Sequence, residues 1–138
     1  MFDFGTVFTY NILNSEYEYI GGLVLEAIEV AHKAVEAAND KQATDIALLD
    51  TRGVCSFADY FVICSGDSER QIKTIYSEIG HILKQASILP HHHEGTVDSG
   101  WLLLDYGNVI VHIFTSVERG YYQLDKLWSQ ASTMVRIQ

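Results

Sequence analysis

The chain has 138 residues, 48% of them hydrophobic, and carries 18 acidic against 9 basic residues for a formal net charge of −9. This length suits one domain with a sizeable hydrophobic core, and nothing argues for a second domain. The acidic balance argues against direct binding to nucleic-acid phosphates, because that binding relies on Lys and Arg displacing condensed counterions. A protein surface of basic or mixed charge is the better expectation for a partner.

The cysteines and the N-terminal region indicate a cytoplasmic protein. Cys55 and Cys64 have no spacing that makes a disulfide framework, so we expect reduced thiols. Residues 1–32 contain no Lys or Arg, whereas secretory and mitochondrial targeting peptides need positive charge. No apolar run approaches the ~20 residues that span a bilayer, so we expect no membrane contact.

Periodic hydrophobic patterns begin at Leu23, and residues 1–22 are interpreted as an N-terminal extension. Apolar residues at helical spacing predict an amphipathic helix from Leu23 to Ala38. Its polar face is expected to carry Glu26, Glu29, Lys33 and Glu36. Two continuous apolar runs, 45–50 and 59–64, predict buried strands, since strands covered by helices on both faces are apolar throughout.

A second helix is predicted after the strand that ends near residue 65. The segment Ser65-Gly66-Asp67-Ser68 supplies N-cap oxygens, and an apolar stripe from Ile72 to Ala86 defines the helix. Pro90 marks a stop beyond its end. Residues 91–95 are predicted to form a loop.

A short third helix is predicted near the C-terminus. Thr115 and Glu118 have the spacing of a capping box at its start. One side of this helix is expected to carry Val117, Tyr121, Leu124 and Trp128. We expect a domain over residues 23–128 and a frayed tail over residues 129–138. The order of elements predicts an α/β or α+β fold, with a single mixed sheet flanked by helices.

The segment from Asp98 to Phe114 is predicted to contain a β-hairpin. Gly107-Asn108 lies between two β-forming runs and is a dipeptide that closes two-residue hairpin loops. With such a loop, one apolar face carries the pairs Tyr106–Val109, Leu104–Val111 and Leu102–Ile113. The other face carries Trp101, Leu103, Asp105, Ile110, His112 and Phe114. This mixed face would meet a helix, a substrate or a protein partner, and a longer loop would exchange the two sets.

Three neighbouring histidines invite a metal-site interpretation. Imidazole is a common metal ligand, and His91, His92 and His93 are consecutive. Adjacent side chains point in different directions, however, and no H-E-x-x-H or Cys/His spacing completes a tetrahedral set. We therefore expect no metal and no other cofactor.

A nucleotide-processing enzyme is a competing hypothesis. Ser65-Gly66, between a strand and a helix N-terminus, is a place for a phosphate. Asp50, Asp59 and Asp105 lie at strand ends, where carboxylates can bind Mg²⁺. Helix capping and turn chemistry explain the same residues, and the chain has neither a Walker loop nor two side-by-side carboxylates on one strand. No catalytic residue is predicted.

Several blocks in order along the chain closely resemble the ribosomal silencing factor (Iojap-related) family. The resemblance runs from about Leu23 to Trp128. It rests on residues 50–53, 56–66, 68, 70–71, 94–95, 101, 105–107, 109–114 and 119–128. Asn108 stands where the family pattern usually has Asp, a change that a hairpin turn tolerates.

The resemblance implies a nucleotidyltransferase-like fold without that activity. It implies binding to the large ribosomal subunit through its protein number fourteen, so that the small subunit cannot join and translation is damped when nutrients are scarce. It also implies a homodimer when free, and little direct contact with nucleic acid is expected.

Carried onto this chain, the family's partner contacts are expected at Trp101, Asp105 and Tyr106 first, and then at Asp98, Glu94, His112 and Tyr122. Tyr106 falls on the hairpin face assigned to the core. A nucleotidyltransferase-like enzyme or nucleotide-binding protein is the alternative, and a dimeric scaffold that never meets a ribosome is a third possibility.

Overall fold

A mixed six-stranded β-sheet forms the centre of residues 25–138, the part of the chain that the computed structural model describes. The helices are α1 (Ala27–Asp40), α2 (Glu69–Gln85), α3 (Ser116–Tyr122) and α4 (Leu124–Leu127). The strands are β1 (Thr44–Asp50), β2 (Tyr60–Gly66), β3 (His92–Thr96), β4 (Trp101–Asp105), β5 (Val109–Thr115) and β6 (Ser132–Ile137). A 3₁₀ turn, Val97–Ser99, precedes β4.

The strand order is β3-β4-β5-β2-β1-β6. β2 and β5 run parallel, and every other neighbouring pair is antiparallel. Parallel strands need a long crossover, which here contains α2 and the β3–β4 hairpin. The predicted α+β fold with one mixed sheet is confirmed.

The first face of the sheet is a dry core under α1 and α2. Ile46, Leu48 and Val62 on this face are fully buried against helix residues such as Ala34 and Ile75. The second face holds a smaller cluster, in which Phe61 and Phe114 pack with Leu124 and partly buried neighbours. Helices thus lie on both faces, as the continuous apolar runs of β1 and β2 predict, although the second face is covered only in part.

The predicted hairpin and its register are confirmed. Leu102 pairs with Ile113 and Leu104 with Val111, and the Tyr106 N–H donates to the Val109 carbonyl at 2.8 Å. Gly107 has a φ of +89° at the first position of the two-residue loop, a conformation that glycine adopts without strain. Trp101, Leu103 and Asp105 therefore lie on the second face.

The two strands at the edges of the sheet correct the sequence interpretation. Residues 91–95 were expected to form a loop, but His92–Thr96 pairs with β4. The tail was expected to be frayed, but Ser132–Ile137 pairs with β1. An edge strand has one hydrogen-bonding neighbour and few buried side chains, so it shows no clean apolar alternation. All five residues of β3 are exposed.

The N-terminal helix begins later than predicted. Its N-cap is Glu26, and the expectations for residues 1–22, Leu23 and Val24 lie outside the described residues. Glu29, expected on the polar face, is 8% exposed, because its carboxylate turns back and accepts the Glu26 N–H at 2.8 Å. This capping box satisfies one carboxylate oxygen of Glu29, whereas the other has no hydrogen-bond partner among the described residues, and desolvation raises the pKa of the carboxyl group.

The C-terminal helix is split in two. Gln123 has a φ of +52°, so α3 ends there and α4 starts in a new direction. Leu124 is buried and Trp128 is half-buried, but Val117 and Tyr121 are 79% and 76% exposed. The expectation of one continuous apolar side is therefore wrong. Within residues 25–138, no helix combines the length and apolar character needed to cross a bilayer.

Candidate functional site

A cluster of aromatic side chains lies on the second face of the sheet, where β4 and β5 are next to α3. The Trp101 ring stacks on Phe114, with centroids 5.0 Å apart, and lies 4.5 Å from the ring of Tyr122. Trp101 is half-buried and Tyr122 is 42% exposed, so both rings reach solvent. Alternation along β4 places Trp101 here, and α3 brings Tyr122 over it.

A shallow cleft of about 180 Å³ opens beside these rings. Its lining residues are Glu94, Gly95, Ser99, Trp101, Leu103 and Tyr122. We call Trp101, Leu103, Tyr122 and Glu94 the aromatic surface. The side chain of Glu94 is 64% exposed and its Oε2 lies 2.6 Å from Nε2 of His92, so carboxylate oxygens stand at the rim of the cleft.

His112 lies beneath the aromatic surface and is only 6% exposed. The Trp101 Nε1–H donates to its Nδ1 at 3.3 Å, which makes Nδ1 the unprotonated nitrogen. Burial lowers the pKa of His112 to about 4, so the imidazole is neutral at pH 7. Its Nε2 has no hydrogen-bond partner among residues 25–138. His112 therefore supports Trp101 from below.

Tyr106 lies on the other side of the sheet, in the core under the helices, and is 8% exposed. Desolvation raises the pKa of its hydroxyl to about 12, and that hydroxyl has no partner among the described residues. The resemblance points to this residue, but the fold separates it from the aromatic surface.

The remaining acidic candidates lie at the margins. Asp105 is four residues along β4 from Trp101, about 13 Å at the usual rise per residue. Its Oδ1 accepts the Gly107 N–H at 2.7 Å, which fixes the hairpin turn. Asp98 is exposed in the 3₁₀ turn, and a hydrogen bond from Thr96 lowers the pKa of its carboxyl group. Of the predicted set, the structure brings together Trp101, Tyr122 and Glu94, with His112 underneath.

The family model described as "ribosomal silencing factor during starvation" matches residues 24–138. The chain belongs to the ribosomal silencing factor family. The resemblance stated from the sequence blocks is thereby confirmed, and the match extends through β6 at the C-terminus.

Named relatives agree with this assignment. The ribosomal silencing factor of Bacillus subtilis is 43% identical over 98 residues, covering 71% of this chain and 83% of that protein. The one from Halalkalibacterium halodurans is 39% identical over 106 residues, covering 77% and 91%. A crystal structure of a Chromobacterium violaceum protein superposes with a TM-score of 0.73 at 33% identity, covering 80% of this chain and 94% of that one.

Three residues of the cleft were not singled out as contacts from the sequence. Leu103 shares its strand face with Trp101, so alternation alone could have found it. Gly95 and Ser99 are brought to the cleft by β3 and the 3₁₀ turn, whose positions the sequence pattern did not predict. Gly95 has a φ of +91°, and a Cβ there would lie 2.0 Å from the Trp101 carbonyl oxygen. Only glycine at position 95 lets strands β3 and β4 approach this closely.

The residues proposed for nucleotide chemistry are divided between the two ends of β2. Asp59 immediately precedes β2 and Ser65-Gly66 closes it, a separation of about 20 Å at the usual rise. Asp50 is held by Arg52 at 2.8 Å, which lowers the pKa of that carboxyl group. Within residues 25–138, no group of three or more His, Cys, Asp or Glu side chains is arranged to hold a metal ion.

The strand-to-helix turn after β2 is occupied by capping interactions. Ser68 Oγ accepts the Gln71 N–H at 3.1 Å, and the Asp67 N–H donates to Gln71 Oε1 at 2.7 Å. The helix-capping interpretation of this segment is confirmed. Ser65 itself is 3% exposed, and its hydroxyl accepts a hydrogen bond from Arg119 at 2.7 Å.

Both cysteines are free thiols. Cys64 lies in the core of β2, and burial raises the pKa of its thiol to about 12, so it behaves as a small hydrophobic residue. Cys55 is half-buried and packs against the second-face cluster.

Proposed function

We propose that this chain binds the large ribosomal subunit through its protein number fourteen and blocks joining of the small subunit, which lowers translation when nutrients are scarce. The observation that carries the proposal is the family match over residues 24–138, together with 39–43% identity to two named ribosomal silencing factors. A mouse relative, 28% identical, is named mitochondrial assembly of ribosomal large subunit protein 1, which favours the large subunit as the partner.

The aromatic surface is the proposed contact. Trp101 and Tyr122 present half-exposed rings around a cleft, with the carboxylate of Glu94 at its rim. Tryptophan and tyrosine are enriched at interface positions where truncation costs ~2 kcal/mol or more. A net charge of −9 favours a partner surface that offers Arg or Lys.

Steric exclusion is the proposed mechanism. A protein that covers part of the intersubunit surface prevents the small subunit from docking there, and this needs neither bond-making nor a cofactor. We therefore propose a cytoplasmic regulator that is not an enzyme, that is a homodimer when free, and that makes little direct contact with nucleic acid.

The test is co-sedimentation with purified large subunits in a sucrose gradient. The wild-type protein should travel with free large subunits and be absent from assembled ribosomes. Trp101→Ala should weaken this binding at least tenfold, because ~1.4 kcal/mol of lost contact is a factor of ten. Leu89→Ala is the matched control, since Leu89 is 61% exposed but lies beyond the end of α2.

Three results would contradict the proposal. Wild-type protein on assembled ribosomes would exclude the blocking mechanism, and unchanged binding by Trp101→Ala would exclude the aromatic surface. A large thermal stabilisation by nucleoside triphosphate with Mg²⁺ would favour the nucleotide-binding alternative, since a ligand at a hundred times its Kd adds ~2.7 kcal/mol.

A further inference from the structure

Arg119 is a charged residue buried under α3, where it is 8% exposed. Its Nη1 donates to the Asp45 carbonyl at 2.8 Å and to Ser65 Oγ at 2.7 Å, which ties α3 to β1 and β2. Its Nε and Nη2 donate to the two carboxylate oxygens of Asp125 at 3.0 and 2.9 Å. This bidentate geometry is the strong form of an arginine–carboxylate pair.

Apolar burial contributes little to the position of α3. The helix has seven residues, and its apolar Val117 and aromatic Tyr121 are 79% and 76% exposed. Isolated helices of this length are unstable in water. The hydrogen bonds and ion pair of Arg119 therefore contribute much of the stabilisation that holds α3 on the sheet.

The Arg119–Asp125 pair closes a short loop of chain that contains Tyr122. Tyr122 follows Arg119 by three residues on the same helix, so the two side chains lie on neighbouring positions of one surface. Gln123 then reverses the chain in a left-handed conformation, which returns Asp125 to the guanidinium. Both ends of the segment that presents Tyr122 are thus fixed by one ion pair.

The guanidinium of Arg119 also contacts Asp45, a residue of β1 with an unusual backbone conformation. Asp45 has a φ of +49°, uncommon for a residue other than glycine, and the register of β1 shifts between Thr44 and Ala47. The Asp45 carbonyl accepts from Arg119, and its carboxylate accepts from Arg136 of β6 at 2.6 Å. The β-bulge exposes the carbonyl that anchors α3.

We infer that Arg119 is a positioning residue for partner binding, which it promotes by holding the ring of Tyr122 against Trp101. The inference rests on the proposed function of the aromatic surface. The Tyr122 and Trp101 rings are 4.5 Å apart, and the wall of the cleft that they form depends on where α3 lies. Arg119 itself is buried and needs no contact with the partner.

The first test is spectroscopic and needs no ribosome. In a Trp128→Phe background, Trp101 is the remaining tryptophan, so its near-ultraviolet circular dichroism and fluorescence report on its surroundings. Arg119→Lys keeps the charge but loses the planar fork, and should change both signals while the far-ultraviolet spectrum stays native. Asp125→Asn should act in the same direction and serves if Arg119→Lys does not fold.

The second test is a double-mutant cycle on binding to large subunits, measured where all variants are folded. Arg119→Lys should weaken binding about tenfold, and the Arg119→Lys/Tyr122→Ala double variant should bind no worse than Tyr122→Ala alone. Arg52→Gln, which loses an exposed pair with Asp50 and leaves every partner of Arg119 in place, is the control and should bind as the wild type does.

The outcomes separate the two proposals. If Arg119→Lys only lowers the melting temperature, with the Trp101 signals and the binding of the folded protein unchanged, Arg119 is structural and the inference is wrong. Additive losses in the cycle would also overturn it. If the wild type does not bind large subunits, the proposed function fails, while an altered Trp101 signal in Arg119→Lys would still support the positioning of Tyr122.

Discussion

The two faces of the sheet are built on different physical principles. The first face pairs strand residues such as Leu48 and Val111 with α1 and α2, and its buried side chains are almost entirely apolar. The second face is covered only in part, and it combines aromatic rings with a buried imidazole and a buried guanidinium. Stability therefore resides mainly on the first face, whereas the exposed rings of the proposed contact lie on the second.

Truncation of matched leucines on the two faces should show the largest contrast. Leu48→Ala, at a fully buried position of the first face, should cost ~2–5 kcal/mol of the free energy of unfolding. Leu103→Ala, at a half-buried position of the cleft, should cost ~1 kcal/mol, because less apolar area leaves the interior. Urea denaturation at pH 7 measures both.

Large-subunit binding should show the reverse order for these two variants. The folded fraction of Leu48→Ala should bind normally, and Leu103→Ala should bind more weakly. Equal losses of stability at both positions, or equal losses of binding, would remove the distinction between the faces.

The periodic parts of the fold were predictable from the sequence, and they are mostly the first face. The hairpin register follows from Gly107-Asn108 and the alternation on each side of it, and the stripe from Ile72 to Leu83 defines α2. The second face depends on contacts between distant residues. Arg119 and Asp45 are 74 positions apart, and no local pattern indicates that they meet.

The candidate site was predictable in the same uneven way. Trp101 was assigned to the correct face because strand alternation is a local property. The expectation that His112 would meet a partner did not anticipate its burial, which arises because Trp101 and Phe61 pack against it from neighbouring strands. The edge strands β3 and β6 were not predicted, because few of their side chains are buried and their sequences therefore lack an alternating apolar pattern.

Acid should lower the free energy of unfolding through the second face of the sheet, because His112 is buried there as a neutral base. Its pKa falls from the ordinary 6.5 to about 4, so the unfolded chain takes up a proton at a higher pH than the folded protein. The stability due to neutral His112 is present above pH 6.5 and is lost progressively as the pH falls toward 4. The full difference corresponds to ~3 kcal/mol.

The measurement is the free energy of unfolding between pH 7 and 4, compared with His112→Asn. Asparagine cannot titrate in this range, so its variant should lose less stability on acidification. Carboxyl groups such as Asp125, whose pKa is lowered by Arg119 despite desolvation, affect both proteins alike. Parallel curves would show that His112 is not the group responsible.

Trp101→Phe separates the hydrogen bond of the indole from its ring packing. Phenylalanine keeps an aromatic ring over Phe114 but removes the donor to His112, leaving Nδ1 buried without its partner. The expected cost is ~1–3 kcal/mol, the penalty for an unsatisfied buried polar group. Thermal and urea unfolding measure it. In the Trp101→Phe/His112→Phe double variant the loss should be smaller than the sum of the single losses, and strict additivity would exclude the hydrogen bond as the cause.

The helix caps provide the smallest and most local comparison. Ser68 accepts the Gln71 N–H at 3.1 Å to start α2, whereas Thr115 accepts the Glu118 N–H at 3.4 Å to start α3. Ser68→Ala should cost ~1 kcal/mol in global unfolding, because α2 packs along the first-face core and unfolds with it. Thr115→Ala should cost only a few tenths of a kcal/mol globally, since its hydrogen bond is longer and the helix it caps is mostly exposed.

The second cap should show its effect locally. Because α3 is short and held mainly by Arg119, Thr115→Ala should accelerate amide hydrogen exchange within Ser116–Tyr122 while exchange in α2 stays unchanged. Ser68→Ala should instead raise exchange throughout α2 and the strands beneath it. If Thr115→Ala lowered global stability as much as Ser68→Ala, α3 would belong to the same cooperative unit as the core, and the second face would be as rigid as the first.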